Sequence, residues 1–113
     1  MERQIEALET AKDYINNLKD GISQIVNFIY QGEEQRACNL IVPISEGIDW
    51  LTQIINLTSD YHKNKVSSKI IDEKLSNIVE ALENEDYILI SDLFNYEVIP
   101  ILDEIQNQII DVI

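Results

Sequence analysis

The residues of this sequence that could do chemistry are 21 Asp and Glu carboxylates, one histidine and one cysteine. A di-iron carboxylate site in a helical frame needs Glu-x-x-His on two helices and a Glu on each of two others. The histidine, His62, has no Glu three residues before it, so that motif is missing. The same shortage of His and Cys argues against a catalytic zinc site.

Nucleophilic catalysis would need a base held beside a Ser or Cys. Ser67 and Ser68 are close to His62 in the sequence, but no pattern orients the three side chains, and a solvated loop is the simpler interpretation. Cys38 stands alone, so the chain can form neither an intramolecular disulfide nor a thiolate metal site. We interpret Cys38 as a small packing residue.

The carboxylates form no acid–base pair that the sequence can identify. Neighbours such as Asp103 and Glu104 point about 100° apart on a helix, and the three glycines are isolated, so there is no phosphate-binding loop. We therefore expect a non-enzymatic protein with no catalytic, cofactor-binding or metal-binding residues. A carboxylate-based bundle that binds a small ligand or a cation stays open as an alternative, although the predicted core faces of the first, second and last helices carry no carboxylate.

The spacing of apolar residues in the first half predicts two long helices, about 2–31 and 33–57. Steps of three and four are typical of one buried helix face. The face of the first helix comprises Leu8, Ala11, Ile15, Leu18, Ile22, Ile25 and Ile29, and that of the second comprises Ala37, Leu40, Ile41, Ile44, Ile48, Leu51 and Ile55. Gly32 ends the first helix, and Pro43 predicts a kink in the second.

The second half predicts a polar loop over 58–64 and two further helices, about 65–83 and 86–112. The third helix would bury Ile71, Leu75, Ile78, Val79 and Leu82. Asp86 is a suitable N-cap for the last helix, and Pro100 predicts a second kink. Because the turns near Gly32 and Asp86 are short, each pair of helices forms an antiparallel hairpin. We predict one all-α domain over residues 1–113, a four-helix antiparallel up-down-up-down bundle with proline kinks in helices 2 and 4.

The last helix carries two apolar lines, and one bundle core explains only the first. The first line comprises Ile90, Phe94, Val98, Ile101, Leu102, Ile105, Ile109 and Val112; Leu89, Leu93, Tyr96 and Pro100 recur on nearly the opposite side. A similar second line on helix 2 comprises Pro43, Gly47, Trp50, Ile54 and Leu57. We predict a protein interface at Leu89, Leu93, Tyr96, Pro100, Trp50 and Leu57.

The charge of the chain limits its partners. The formal net charge is −13, and no Lys or Arg follows Lys74. Such a chain has almost no cations with which to replace the counterions of nucleic acid, and anionic membranes repel it. The acidity either serves solubility alone or favours a partner rich in Lys or Arg.

These patterns together predict a small acidic interaction or adaptor protein, or a chaperone-like module. It would self-associate as a homodimer or bind a partner helix through the second apolar lines. No apolar run follows the amino terminus, and no segment is long and apolar enough to cross a bilayer, so we expect a cytoplasmic protein. In layout alone the chain is similar to flagellar and type III export chaperones, which are also small, helical and often acidic.

Overall fold

The computed structural model describes residues 2–113, and every regular element in that range is helical. The elements are α1 (Glu2–Tyr30), α2 (Glu34–Leu57), α3 (Ser59–His62), α4 (Lys69–Glu83), α5 (Tyr87–Leu93), a π-helical segment (Phe94–Val98) and α6 (Ile99–Val112). The predicted all-α class is confirmed. The radius of gyration of 14.5 Å shows that these elements are packed together.

A tight turn joins α1 to α2. Gly32 has a φ of +75°, which a residue without a Cβ adopts without strain. Its N–H donates to the carbonyl of Ile29 at 3.1 Å, and the N–H of Glu33 donates to that of Phe28 at 2.8 Å. This pair of bonds is a Schellman motif, and it reverses the chain so that α2 packs along α1.

The predicted apolar faces of α1 and α2 are almost entirely buried. All seven residues of the α1 face are buried, and in the α2 face only Leu40 is partly exposed. The helices approach closely where Gly47 of α2 faces Tyr14 and Leu18 of α1, and where Gly21 of α1 faces Ile44. The two glycines lie in the same part of the α1–α2 contact and allow the backbones to come together there.

α1 is the central element. It packs against α2 on one side and against α5, the π-helical segment and α6 on the other, while α4 packs against α5 and the π-helical segment. Polar contacts add to the contact of α1 with α6: Lys19 Nζ lies 2.7 Å from Asp103 Oδ1, and Gln106 Nε2 donates to the carbonyl of Lys12 at 2.8 Å.

The connection between α2 and α4 differs from the predicted loop and helix start. A single helical turn, α3, follows α2, and α4 begins at Lys69 rather than near residue 65. Lys63 and Asn64 have φ values of 56° and 62°. That left-handed backbone cannot continue a right-handed helix, so the chain leaves the helical path there.

The interpretation of His62 as part of a solvated loop is wrong. The imidazole is buried: Nε2–H donates to the carbonyl of Ile55 at 2.8 Å, and Nδ1 accepts from the N–H of Val66 at 3.4 Å. The last carbonyls of a helix lack intrahelical donors. His62 therefore supplies a donor to the end of α2 and fixes the chain that follows it.

The last long helix contains the π-helical segment directly before its proline. The N–H of Ile99 donates to the carbonyl of Phe94, five residues back, which adds one residue to that turn. In a regular α-helix, Pro100 would leave the carbonyl four residues back without a donor and would clash with it. The wider π-helical turn lies directly before Pro100, where this conflict would occur. By contrast, α2 is continuous through Pro43.

The buried face of α4 is narrower than predicted. Ile71 and Ile78 are buried and Leu75 and Leu82 are partly buried, but Val79 is exposed, and Ala81 is buried instead. The prediction of Val79 as a core residue is wrong. Because the main contacts of α4 are with α5 and the π-helical segment, only a narrow stripe of its surface is covered.

Candidate functional site: an acidic groove between α4 and α5

The turn between α4 and α5 aligns the two helices side by side. Glu85 has a φ of 53° and its N–H donates to the carbonyl of Leu82 at 3.1 Å, while the N–H of Asp86 donates to that of Ala81 at 2.9 Å. The carboxylate of Asp86 then accepts from the N–H of Leu89 at 3.2 Å, as the predicted N-cap should. The three-residue turn thus provides hydrogen-bond partners for carbonyls at the end of α4 and for an N–H at the start of α5.

A groove of about 310 Å³ lies where these helices meet. Its apolar lining is Ala81, Leu89 and Leu93, and its polar lining is Asn77, Glu80, Asn84 and Asp86. Ala81 and Leu93 are buried, so they form the floor, whereas Glu80, Asn84 and Asp86 are exposed and form the rim. Leu89 lies between these extremes at 42% exposed.

A second, shallower hollow adjoins the groove on α4. Leu75 and the exposed Val79 line it together with Glu83. Glu80 borders both hollows, so the two form one surface along α4. This surface combines apolar side chains with a carboxylate edge.

The groove carboxylates have no cation to pair with. No ion pair within residues 2–113 includes Glu80 or Asp86. The lysine of α4 that precedes the groove, Lys74, instead holds Glu97 at 2.8 Å. This hydrogen bond raises the pKa of Lys74 against the opposing effect of burial, and the charges of Glu97 and Glu73 add to the rise.

Two of the predicted interface residues line the groove. Leu89 is partly exposed there, and Leu93 is only 7% exposed because α4 and its own helix cover it. Tyr96 and Pro100 are exposed but lie outside the groove lining. The π-helical segment separates the two pairs, and its additional residue rotates later positions around the helix.

The other two predicted interface residues lie on α2, away from this groove. Trp50 is exposed at the edge of α2 and packs edge-on against Tyr14 of α1, with ring centroids 5.1 Å apart and planes at 79°. Leu57 is exposed at the end of α2. Neither residue lines the groove between α4 and α5.

The polar residues of the groove were not among the predicted site residues. A signal was present, because Asn77, Ala81 and Asn84 recur at steps of four and three on one face of α4. That face of α4 carries short or polar side chains beside the apolar residues of α5. Such a pattern indicates a shallow groove rather than a packed contact.

Within residues 2–113, no group of three or more His, Cys, Asp or Glu side chains is arranged to hold a metal ion. Over the same range, none of the helices combines the length and the apolar character needed to cross a bilayer.

The exposed Leu89 beside the unpaired carboxylates of the groove is suited to binding an apolar surface with basic edges.

Fold and groove together define an all-helical protein with an acidic, partly apolar surface groove. A family model described as "Domain of unknown function (DUF8042)" matches residues 6–108, and the chain belongs to this family. No curated protein and no solved structure matches the chain.

Proposed function

We propose that this protein is a non-enzymatic interaction module whose groove between α4 and α5 binds an amphipathic, Lys- or Arg-rich helical segment of a partner protein. The observation that supports the proposal is the exposed Leu89 above a buried apolar floor, with Glu80 and Asp86 unpaired beside it. Chaperone-like capture of a helix in the cytoplasm would be one form of this function.

An apolar helix face would displace water from Leu89 and the floor of the groove. Removing apolar surface from water contributes about 25 cal/mol per Å², which supplies affinity but little selectivity. Basic side chains at the edges of the helix would pair with the rim carboxylates and would raise the association rate. The groove can therefore discriminate between helices of equal hydrophobicity by their charge.

The same charges disfavour a second copy of the chain as the occupant. Each copy carries a formal charge of −13, and two acidic grooves brought together would repel. Self-association through the second apolar lines remains a separate prediction, and three of its six residues, Trp50, Leu57 and Tyr96, are exposed outside the groove. Sedimentation at several salt concentrations measures it directly.

Two designed helical peptides test the proposal. Both carry the same leucine face, and the polar face is Lys-rich in one and Glu-rich in the other. We expect the Lys-rich peptide to bind, with affinity that falls as salt is added, and the Glu-rich peptide to bind much more weakly. Fluorescence anisotropy of the labelled peptides gives both affinities.

A matched pair of variants locates the binding site. Leu89→Ser removes the exposed apolar side chain of the groove, and we expect about tenfold weaker binding, typical of an interface anchor. Ile88→Ser is the control, since Ile88 is 73% exposed on the same helix and does not line the groove. Leu93 is unsuitable for this test because it is buried, so a polar substitution there would report stability.

A second pair tests the charge. Glu80→Gln should weaken binding of the Lys-rich peptide and reduce the salt dependence of that binding. Glu73→Gln, also on α4 but outside the groove, should change neither. Equal effects of both substitutions, or equal binding of both peptides, would show that general charge or hydrophobicity drives the association, and the groove would not be the site.

The proposal includes the finer architecture predicted from the sequence. Four long helical stretches would form two antiparallel hairpins in an up-down-up-down bundle, with bends near Pro43 and Pro100. The three-residue turns at 31–33 and 84–86 support it. A solution structure with inter-helix distances measured across both hairpins would test this arrangement.

A further inference from the structure

A second cavity, of about 410 Å³, lies at the opposite end of α4, between the end of α2 and the 63–68 connection. The polar residues that line it are Asn56, Asn64, Ser67, Ser68 and Lys69. No Asp or Glu lines it, whereas each of four other surface pockets includes at least one. In a chain of charge −13, a cavity whose lining has no acidic residue and one lysine is a local exception.

Ser68 lies at the base of this cavity with an unused hydroxyl. It directly precedes α4 and is only 7% exposed, yet its hydroxyl makes no capping hydrogen bond. It takes part in no other side-chain hydrogen bond within residues 2–113. Buried polar groups nearly always have a partner. The buried hydroxyls without a partner within residues 2–113 are those of Thr52 and Ser91, so the Ser68 hydroxyl is not sealed in the core. It is open to the cavity that Ser68 lines, where a ligand can bond to it.

The surroundings of Ser68 favour an anion as that partner. The first N–H groups of a helix have no intrahelical acceptor, and the helix dipole places partial positive charge there. In α4 the N–H of Lys69 makes only a long hydrogen bond, to Ser67 Oγ at 3.5 Å. Lys69, the first residue of α4, adds a full positive charge to the same cavity. Amides of Asn56 and Asn64 provide further donors.

The wall of the cavity is held in place before any ligand arrives. The N–H of Ser67 donates to Gln108 Oε1 of α6 at 3.1 Å, and the N–H of Val66 donates to the buried His62 ring. Val66 itself is buried. Two successive residues, Val66 and Ser67, are therefore tied to the body of the protein, which lowers the entropy cost of binding.

We infer that this cavity binds a phosphate group, either inorganic phosphate or the phosphate of a small molecule, through the N-terminal amides of α4, the Ser68 hydroxyl and the Lys69 ammonium. The site lies at the first residue of α4, whereas the acidic groove is lined by the second half of that helix, and the two sites have opposite charge. The inference is therefore independent of the proposed function.

Amide chemical shifts measured by NMR during titration with inorganic phosphate, at constant ionic strength set with chloride, test the inference. We expect saturable shifts at Asn64, Ser68 and Lys69. Lys69→Gln should weaken binding about tenfold, the equivalent of one charge-assisted hydrogen bond. Lys65→Gln is the control, because it removes the same charge from the same connection but Lys65 lines a neighbouring pocket, and we expect less than about a twofold change.

Ser68→Ala separates binding from folding. Because the hydroxyl has no protein partner, the substitution should leave the thermal midpoint unchanged without phosphate while it weakens phosphate binding. Parallel titrations with glycerol phosphate and AMP identify the source: equal affinities indicate recognition of phosphate alone, and tighter binding of either compound indicates that the cavity also contacts the attached group. Shifts that do not saturate, or an equal loss in Lys65→Gln and Lys69→Gln, would overturn the inference.

Discussion

Replacing Gly47 with Ala should destabilise the α1–α2 hairpin although alanine is the better helix former. Gly47 is buried in α2 against α1. A Cβ at this position would lie 2.8 Å from Leu18 Cδ2 and would overlap the hydroxyl of Tyr14. Leu18 is almost fully buried, and the Tyr14 ring packs against Trp50, so neither neighbour can move without disturbing its own contacts.

The magnitude is a balance of two terms. Exchanging Gly for Ala in a helix interior contributes about 1 kcal/mol of stability, whereas overpacking a well-filled contact costs about 1–3 kcal/mol. Because two neighbours of Gly47 must shift, we expect a cost near the upper value. The net result is a loss of about 1–2 kcal/mol in the free energy of unfolding.

Gly21→Ala is the matched control on the facing helix. Its added Cβ would meet only the Ile44 side chain, at Cδ1 and Cγ1, so one neighbour must adjust rather than two. A rotamer adjustment costs about 0.5–1.5 kcal/mol, and the gain in helix propensity offsets it. We therefore expect Gly21→Ala to change the free energy of unfolding by less than about 0.5 kcal/mol.

Urea unfolding followed by circular dichroism measures both variants. The midpoint should fall for Gly47→Ala with an unchanged m value, as expected for a stability change without a change in exposed surface, and should stay near the wild-type value for Gly21→Ala. If Gly21→Ala were the more destabilising, or if Gly47→Ala were stabilising, the close approach of α1 and α2 at Gly47 would be refuted.

Three further predictions concern two turns and an ion pair. Glu85→Gly should raise the free energy of unfolding by about 1 kcal/mol, because glycine has no Cβ and adopts the left-handed conformation of this position without strain. Gly32→Ala should lower the free energy of unfolding, because it places a Cβ on a residue in that conformation. Urea midpoints measure both changes. The pKa of Lys74 is raised from 10.5, chiefly by its bond to Glu97, so the contribution of this pair is fully present below that pH and is lost as the pH rises through the raised pKa. Glu97→Gln should therefore be less stable than wild type near neutral pH, and thermal midpoints across the alkaline range should converge.

The core of the first hairpin could be predicted from spacing alone because α1 and α2 are long, regular and packed along most of their length. α4 was harder to predict. Five apolar positions fitted its predicted inner face, but α4 is shorter and one of them, Val79, remains exposed. Periodicity shows which side of a helix is apolar, and only the neighbours determine how much of that side is covered.

The interruptions of the helices were the least predictable features. Lys63 adopts a left-handed conformation, and nothing in a Lys side chain favours it, so the break after α3 had no signal at that residue. The start of α4 did have a signal, because its N-cap Ser68 is a residue type favoured at helix starts. The π-helical segment also had one. Ile90, Phe94, Val98 and Leu102 follow each other at steps of four, and each such step overshoots a regular turn by about 40°. A wider turn keeps all four on the buried side, and Pro100 favours its position.

The same wider turn determines which of the predicted interface residues lie beside α4. The predicted interface assumed one regular helix, so it placed Leu89, Leu93, Tyr96 and Pro100 on a single line. The additional residue in the turn breaks that line, and only Leu89 and Leu93 remain beside α4. The acidic bias of the chain after Lys74 was visible in the sequence, but its effect depends on this geometry. Because Lys74 is already engaged by Glu97, the proposed partner would have to supply the cations that neutralise the groove.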